Sequence, residues 1–238
     1  MRNKIEVNNI IKKIGNTVIL NNLSFEIPKG QISALLGPNG AGKTTCLRVL
    51  ANLSDIDSGD IRICDNSEKI NRTKHGVIYI NDSPLLYDIL TGYEYLQFVS
   101  DIYKIKIEDI KIETLVHRFK LENYIYKPTL QYSLGMKKKL VLMSALLINP
   151  QVLLLDEFIS GIDPINLKDV KDILIDYVSE GNTVVLSTHQ LEVAQTFCNH
   201  IIMINEGKLI KTGISIERIL EENDSLENFF IKSIFEVN

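Results

Sequence analysis

The stretch that decides the fold of this chain is Gly37-Pro38-Asn39-Gly40-Ala41-Gly42-Lys43-Thr44-Thr45. The apolar run before it, residues 32–36, is typical of a buried strand, and residues 46–51 after it are typical of the start of a helix. A glycine-rich turn that joins a strand to a helix beginning with Lys-Thr is the context of a phosphate-binding P-loop. The glycines allow successive backbone N–H groups to point at phosphate oxygens, and the helix N-terminus adds a partial positive charge at the same place.

We expect all nine residues of this loop to contribute to nucleotide binding. Lys43 is expected to reach the β- and γ-phosphates, and the Thr44 hydroxyl is expected to ligate Mg²⁺. The alternative is a glycine-rich turn that binds nothing. That alternative is disfavoured because the glycines, the lysine and the threonine all stand in register between a strand and a helix.

Composition and charge bound the class of protein. The chain has 238 residues, which is enough for one large α/β domain, and its net charge of −4 gives no indication of nucleic-acid binding. Cys46, Cys64 and Cys198 lie far apart, so we expect reduced thiols that fill the core. We expect no signal peptide, and no apolar run approaches the ~18 residues of a membrane span, so any spans would belong to another chain.

Strand-like segments before and after the P-loop, together with the predicted helices, predict an α/β fold. Residues Ile5–Ile14 alternate polar and apolar side chains and are predicted to form an edge strand. A turn at Gly15-Asn16 connects it to a second predicted strand over residues 18–27. Continuous apolar runs at residues 152–155 and 183–186 predict strands that are buried on both faces, as in a parallel sheet.

Two carboxylates follow the predicted strand 152–155 directly. A carboxylate at the carboxyl end of a central strand, beside a P-loop, is the second half of a Mg·ATP site. We expect Asp156 to hold the water shell of Mg²⁺ and Glu157 to act as the base that orients or deprotonates the attacking water. The alternative is an acidic pair that faces solvent.

His189 follows the next buried strand, at the same edge of the predicted sheet. A lone histidine more often has a structural role, but this position favours contact with the γ-phosphate.

A second candidate anion site lies at the start of a later predicted helix, over residues 136–147. Ser133 and Gly135 stand just before it, and a serine beside a glycine at a helix N-terminus suits an anion. Taken alone, the more usual interpretation is an ordinary helix cap.

Together these segments resemble the nucleotide-binding domain of ABC transporters, and the resemblance covers essentially the whole chain. The corresponding motifs are Walker A at Gly37–Thr45, the signature at Tyr132–Met136, Walker B at Val152–Glu157, the D-loop at Ser160–Pro164 and the switch histidine at His189. The resemblance implies a P-loop NTPase fold with a mainly parallel core sheet, an N-terminal antiparallel β subdomain and a helical insert subdomain. It also implies that two such domains pack head to tail, with each ATP between one chain's Walker A and the other chain's signature.

Three positions depart from the family pattern. Ile14 stands where an aromatic residue usually stacks on adenine, so we expect an aliphatic contact instead. Asp82 stands at the position of the Q-loop glutamine, where a carboxylate would still ligate Mg²⁺ or its water but adds negative charge near the γ-phosphate. In the signature, Leu134 and Met136 replace Gly and Gln, a form that resembles the drug- and bacteriocin-exporting members.

The sequence therefore predicts a single ABC ATPase domain over residues 1–238, with a helical subdomain at about 85–149 and a helical tail at about 216–238. Its predicted function is to hydrolyse ATP and power export through a separate permease, on the inner face of the cell membrane. The helical subdomain is expected to receive a cytoplasmic helix of that permease. The second ATPase subunit would be another copy or a different chain. The alternatives are a soluble ABC-type ATPase without a transport role, or a regulator that hydrolyses ATP poorly.

Overall fold

The computed structural model describes residues 3–63, 76–83, 85–106 and 108–235. Within these ranges the chain forms two β-sheets and eight α-helices. The strands are β1 (Asn3–Ile14), β2 (Thr17–Pro28), β3 (Ile32–Leu36), β4 (Ser58–Ile63), β5 (Val77–Ile80), β6 (Val152–Asp156), β7 (Thr183–Thr188), β8 (His200–Asn205) and β9 (Lys208–Ser215). The helices are α1 (Lys43–Leu50), α2 (Gly92–Tyr103), α3 (Asp109–Phe119), α4 (Leu134–Ile148), α5 (Pro164–Ser179), α6 (Leu191–Phe197), α7 (Ile216–Glu222) and α8 (Leu226–Phe235).

The larger sheet has the strand order β5-β6-β7-β3-β8-β9, and all neighbouring pairs are parallel except β8 and β9. Every residue of β3, β6 and β7 is buried, as the continuous apolar runs predict. The register pairs Leu36 with Thr188 and Asp156 with Ser187. The carboxyl ends of β3, β6 and β7 therefore meet at one edge, and the P-loop, Glu157 and His189 all start there.

The smaller sheet is antiparallel, with the order β2-β1-β4, and it corrects one prediction. Residues Ile5–Ile14 were expected to form an edge strand, but β1 is the central strand. β4 pairs with its second side, matching Ile5 with Ile63 and Val7 with Ile61. An alternating pattern indicates one buried face and one exposed face. Central strands and edge strands of an antiparallel sheet both have such faces, so the pattern cannot distinguish a central strand from an edge strand. The Gly15-Asn16 turn between β1 and β2 is confirmed.

Helices α2, α3 and α4 lie between the two halves of the larger sheet in sequence. α2 begins with a capping box, because the Thr91 hydroxyl accepts from Glu94 N and the Glu94 carboxylate accepts from Thr91 N. Leu96 of α2, Phe119 of α3 and Leu140 of α4 are completely buried in the core that these helices share with the larger sheet. In the described ranges, no helix is long and apolar enough to cross a membrane.

The two described cysteines are core residues, as predicted. Cys46 lies in α1 and Cys198 follows α6, and both thiols are free and buried. Burial raises the pKa of the Cys46 thiol to about 12, so it is protonated at neutral pH and chemically inert. Cys64, and residues 236–238 of the predicted tail, lie outside the described residues.

Gly207, in the turn between β8 and β9, connects the two sheets. Its carbonyl accepts from Asn21 N at 2.8 Å, and its N–H donates to Ala41 O at 3.0 Å. Its φ is +72°, and an added Cβ would lie 2.2 Å from the carbonyl oxygen of Ile19. Only glycine fits this close approach between backbones.

We therefore expect Gly207→Ala to lower the free energy of unfolding by about 2–4 kcal/mol, through backbone strain and the clash with Ile19. Gly213→Ala is the matched control, because Gly213 has a φ of +77° and open space around its Cβ position. It should lose only about 1 kcal/mol from the left-handed conformation. Urea unfolding of both variants measures the difference, and equal losses would contradict the proposed close approach.

Candidate active site

The P-loop needs glycine at defined positions. Gly37 is buried, and an added Cβ would lie 2.3 Å from Ile204 O and 2.9 Å from the Ala41 Cβ. Gly40 and Gly42 have φ values of +80° and +101°, and Gly42 directly precedes the first residue of α1. These constraints turn the chain from β3 into α1, and residues 38–40 of the turn are exposed.

Lys43 fills the centre of this loop. It is only 6% exposed, and its Nζ donates hydrogen bonds to the carbonyls of Gly37 at 2.7 Å and Pro38 at 3.1 Å. The same ammonium lies 3.6 Å from Glu157 Oε1. Thr44 is exposed and Thr45 is half-buried at the N-terminus of α1. The ammonium and the helix N-terminus together attract an anion.

Asp156, the last residue of β6, is held by two donors from neighbouring strands. The Tyr79 hydroxyl of β5 donates to Oδ2 at 2.8 Å, and the Ser187 hydroxyl of β7 donates to Oδ1 at 2.5 Å. Burial and the hydrogen bond to Asp156 raise the pKa of Tyr79, so the phenol keeps its proton at neutral pH. Each carboxylate oxygen has a further lone pair, so Asp156 keeps acceptor capacity for water or a cation.

Glu157 has a strained backbone, with a φ of +47°. Its N–H donates to the Ser187 hydroxyl at 3.0 Å, and its carboxylate accepts from the Ser160 hydroxyl at 3.3 Å. His189 Nδ1 lies 3.1 Å from both carboxylate oxygens. A glutamate in the left-handed region, held by hydrogen bonds on both sides, is the kind of strain that occurs at functional sites.

The structure thus brings Lys43, Glu157 and His189 together, as the predicted constellation requires. The Glu157 side chain is 21% exposed and lies between the buried ammonium and an imidazole that is 48% exposed. A carboxylate in this position can accept a proton from a water molecule that approaches from solvent.

The predicted site residues Ile14, Asp82, Ser133 and Gly135 lie outside this group. Ile14 is 61% exposed at the end of β1. Asp82 is exposed after β5, and its charge contributes to raising the pKa of Tyr79. The Ser133 hydroxyl accepts from Met136 N at 3.2 Å and caps α4, while the Cβ position of Gly135 is open. The α4 N-terminus therefore faces solvent.

Tyr79 and Ser187 were not identified as site residues by sequence reasoning. They contact Asp156 only because β5, β6 and β7 are neighbours in the sheet. Their one sequence signal is position, since Ser187 directly follows the predicted strand 183–186 and Tyr79 stands three residues before Asp82.

The residues present fit a magnesium ion that arrives with a nucleotide. The described part of the chain contains no group of three or more His, Cys, Asp or Glu residues that would hold a metal ion alone. Mg²⁺ in phosphate sites is typically bound by one or two protein oxygens together with phosphates and water. The exposed Thr44 hydroxyl and the Asp156 carboxylate are oxygen ligands of that kind.

Comparisons with known proteins found a matching family model, similar sequences and similar solved structures. The family model described as ABC transporter matches residues 20–160. The lantibiotic transport ATP-binding protein SrtF of Streptococcus pyogenes is 34% identical over 97% of this chain and 97% of its own length. The bacitracin transport ATP-binding protein BcrA of Enterococcus faecalis is 32% identical over 94% of this chain and 73% of its own length. A solved ATP-binding subunit of an ABC transporter has the same fold, with a TM-score of 0.84 and 24% identity over 97% of this chain and 99% of its own.

We expect Lys43→Ala to weaken ATP binding by at least about 100-fold, because it removes the buried charge at the centre of the loop. Fluorescence titration with a labelled ATP analogue measures this affinity. Lys111→Ala, which removes an exposed lysine of α3, is the control and should bind as the unaltered protein does. Unchanged affinity in Lys43→Ala would refute the P-loop assignment.

Proposed function

The chain belongs to the ABC transporter family, and we propose that it hydrolyses ATP to drive export through a separate membrane-spanning permease. The observation that carries this proposal is the Glu157 carboxylate, held 3.6 Å from the Lys43 ammonium and 3.1 Å from His189. This carboxylate lies beside the P-loop, where the γ-phosphate of a bound ATP would be.

The proposed reaction assigns a role to each residue of the site. Lys43 and the P-loop N–H groups bind the phosphates and neutralise their charge. Glu157 orients the attacking water and accepts its proton, and His189 orients Glu157 and contacts the γ-phosphate. Mg²⁺, which Thr44 and Asp156 would hold with Asp82 as a further oxygen donor, would supply further neutralisation of the phosphate charge.

This arrangement argues against the alternative of a poorly hydrolysing regulator, since the base, its histidine and the P-loop lysine all lie in contact. The departures at Ile14 and Asp82 leave those contacts intact. The alternative of an ABC-type ATPase without a transport role has no support from the relatives, whose names describe transport.

We further propose that two ATPase subunits enclose ATP between them. Ser133 and Gly135 lie at the open N-terminus of α4, where backbone N–H groups favour an anion. Neither residue belongs to the group around Lys43 in the same chain. A head-to-tail pair would place this terminus against the ATP of the other subunit and complete two equivalent sites. ATP would then favour the closed pair, and loss of the γ-phosphate would favour opening.

The permease would dock on the helical subdomain, about residues 85–149, and hold the protein on the inner face of the membrane. This region exposes large apolar side chains that a helix of the permease would cover, including Leu85 at 91%, Ile89 at 87% and Leu130 at 68% exposure.

The relatives named for lantibiotic and bacitracin transport suggest a peptide antibiotic or similar amphipathic compound as the exported substrate.

We expect Glu157→Gln to bind ATP while its hydrolysis rate falls about 10²- to 10⁴-fold, because the amide cannot accept the proton of water. The trapped ATP should convert the monomer to a dimer, measured by size-exclusion chromatography with light scattering, with and without Mg·ATP. Glu180→Gln, an exposed glutamate after α5, is the control and should hydrolyse ATP normally. A Glu157→Gln variant that stays monomeric with ATP bound would refute self-pairing.

A further inference from the structure

Helix α4 buries two consecutive lysines. Lys138 is 1% exposed and Lys139 is 3% exposed, whereas the preceding Lys137 is half-buried and lies 3.5 Å from Asp88. Removing an ammonium group from water is strongly unfavourable unless its N–H groups are hydrogen-bonded. The partners of the two buried lysines therefore show what each one holds in place.

Lys138 binds the backbone that directly follows Glu157. Its Nζ donates to Phe158 O at 2.8 Å and to Ser160 O at 2.5 Å, and it lies 5.7 Å from the centre of the Phe158 ring. Hydrogen bonds from a charged donor are about twice as strong as neutral ones. This ammonium thus ties α4 to the segment whose first residue is the proposed base.

That segment needs support because Glu157 has a φ of +47°, a left-handed backbone conformation that is strained for a residue other than glycine. The Ser160 hydroxyl also donates to the Glu157 carboxylate. Ser160 therefore accepts from Lys138 through its backbone carbonyl and orients Glu157 through its side chain. Burial lowers the pKa of Lys138, and the negative charges of Asp82 and Glu157 oppose that shift.

We propose that Lys138 is a positioning residue that holds Glu157 in its hydrolytic position and couples it to the N-terminus of α4. Ser133 caps that terminus and lies five residues before Lys138. ATP in the P-loop of a second subunit, if it contacts Ser133, would therefore affect the position of the loop after Glu157 through one rigid helix. This inference rests on the proposed function, because it assigns Lys138 a part in the same hydrolytic step.

Lys139 offers a matched control on the same helix. Its Nζ donates to Phe119 O at 3.0 Å and to the Asn166 side-chain carbonyl, so it holds the end of α3 and the start of α5. It is equally buried, but it does not hydrogen-bond the segment after Glu157. Substitution of either lysine should cost similar stability, and only Lys138 should affect hydrolysis selectively.

The test compares Lys138→Met with Lys139→Met by steady-state ATP hydrolysis and by titration with a labelled ATP analogue. We expect Lys138→Met to lower kcat about 10- to 100-fold with ATP affinity changed less than about threefold, since only the base is displaced. Lys139→Met should keep kcat within about threefold. Lys138→Gln, which keeps one neutral donor to the carbonyls, should have an intermediate kcat. It also serves as the test variant if Lys138→Met does not fold.

A second measurement separates positioning from general damage. In single-turnover reactions, Lys138→Met should cost little further rate in a Glu157→Gln background, whereas independent effects would multiply. Equal falls in kcat for the two lysine variants, or a wild-type kcat in Lys138→Gln, would overturn the role of Lys138. If the unaltered protein itself fails to hydrolyse ATP, the proposed function fails instead, so the two failures are distinguishable.

Discussion

The Lys43 ammonium donates to two carbonyls of the loop that precedes it, from a position that is almost completely buried. A buried charge must be compensated, and Gly37, Pro38 and Glu157 supply that compensation. The loop is therefore closed around its own lysine, and the same lysine sets the distance between the P-loop and the end of β6. Because Gly37 also packs against Ile204 O, the end of β8 supports this loop as well.

The position of these groups depends in turn on the parallel register of the larger sheet. Asp156 is paired with Ser187 in the sheet, and the Ser187 hydroxyl serves both Asp156 and the N–H of Glu157. A one-residue slip of β6 against β7 would reverse the faces of these side chains and separate them. The fully buried strands resist such a slip, because it would move a complete set of apolar side chains.

Most of this organisation is predictable from the sequence because its signals are local. The P-loop, the buried runs of β3, β6 and β7, and the polar residues at their carboxyl ends all lie within short segments. The central position of β1 was not predictable. The alternation of polar and apolar side chains indicates which face of the strand is buried, but it does not indicate how many strands pair with it. The contacts of Tyr79 and Ser187 with Asp156 span 77 and 31 residues, so they depend on a strand order that no local pattern specifies.

The charges around the site, like the contacts of Tyr79 and Ser187, are not predictable from a local pattern. Asp82 looks unfavourable in sequence, because it adds a negative charge where ATP must bring its γ-phosphate. In the structure, burial lowers the pKa of Lys138 and the negative charge of Asp82 opposes that shift. Motif reasoning does not find this buried cation, because lysine on a helix is normally exposed. Lys138 donates to the carbonyls of Phe158 and Ser160, so a positive charge lies on the loop that follows Glu157. Asp82 is exposed, and the contacts among Lys43, Glu157 and His189 form in its presence.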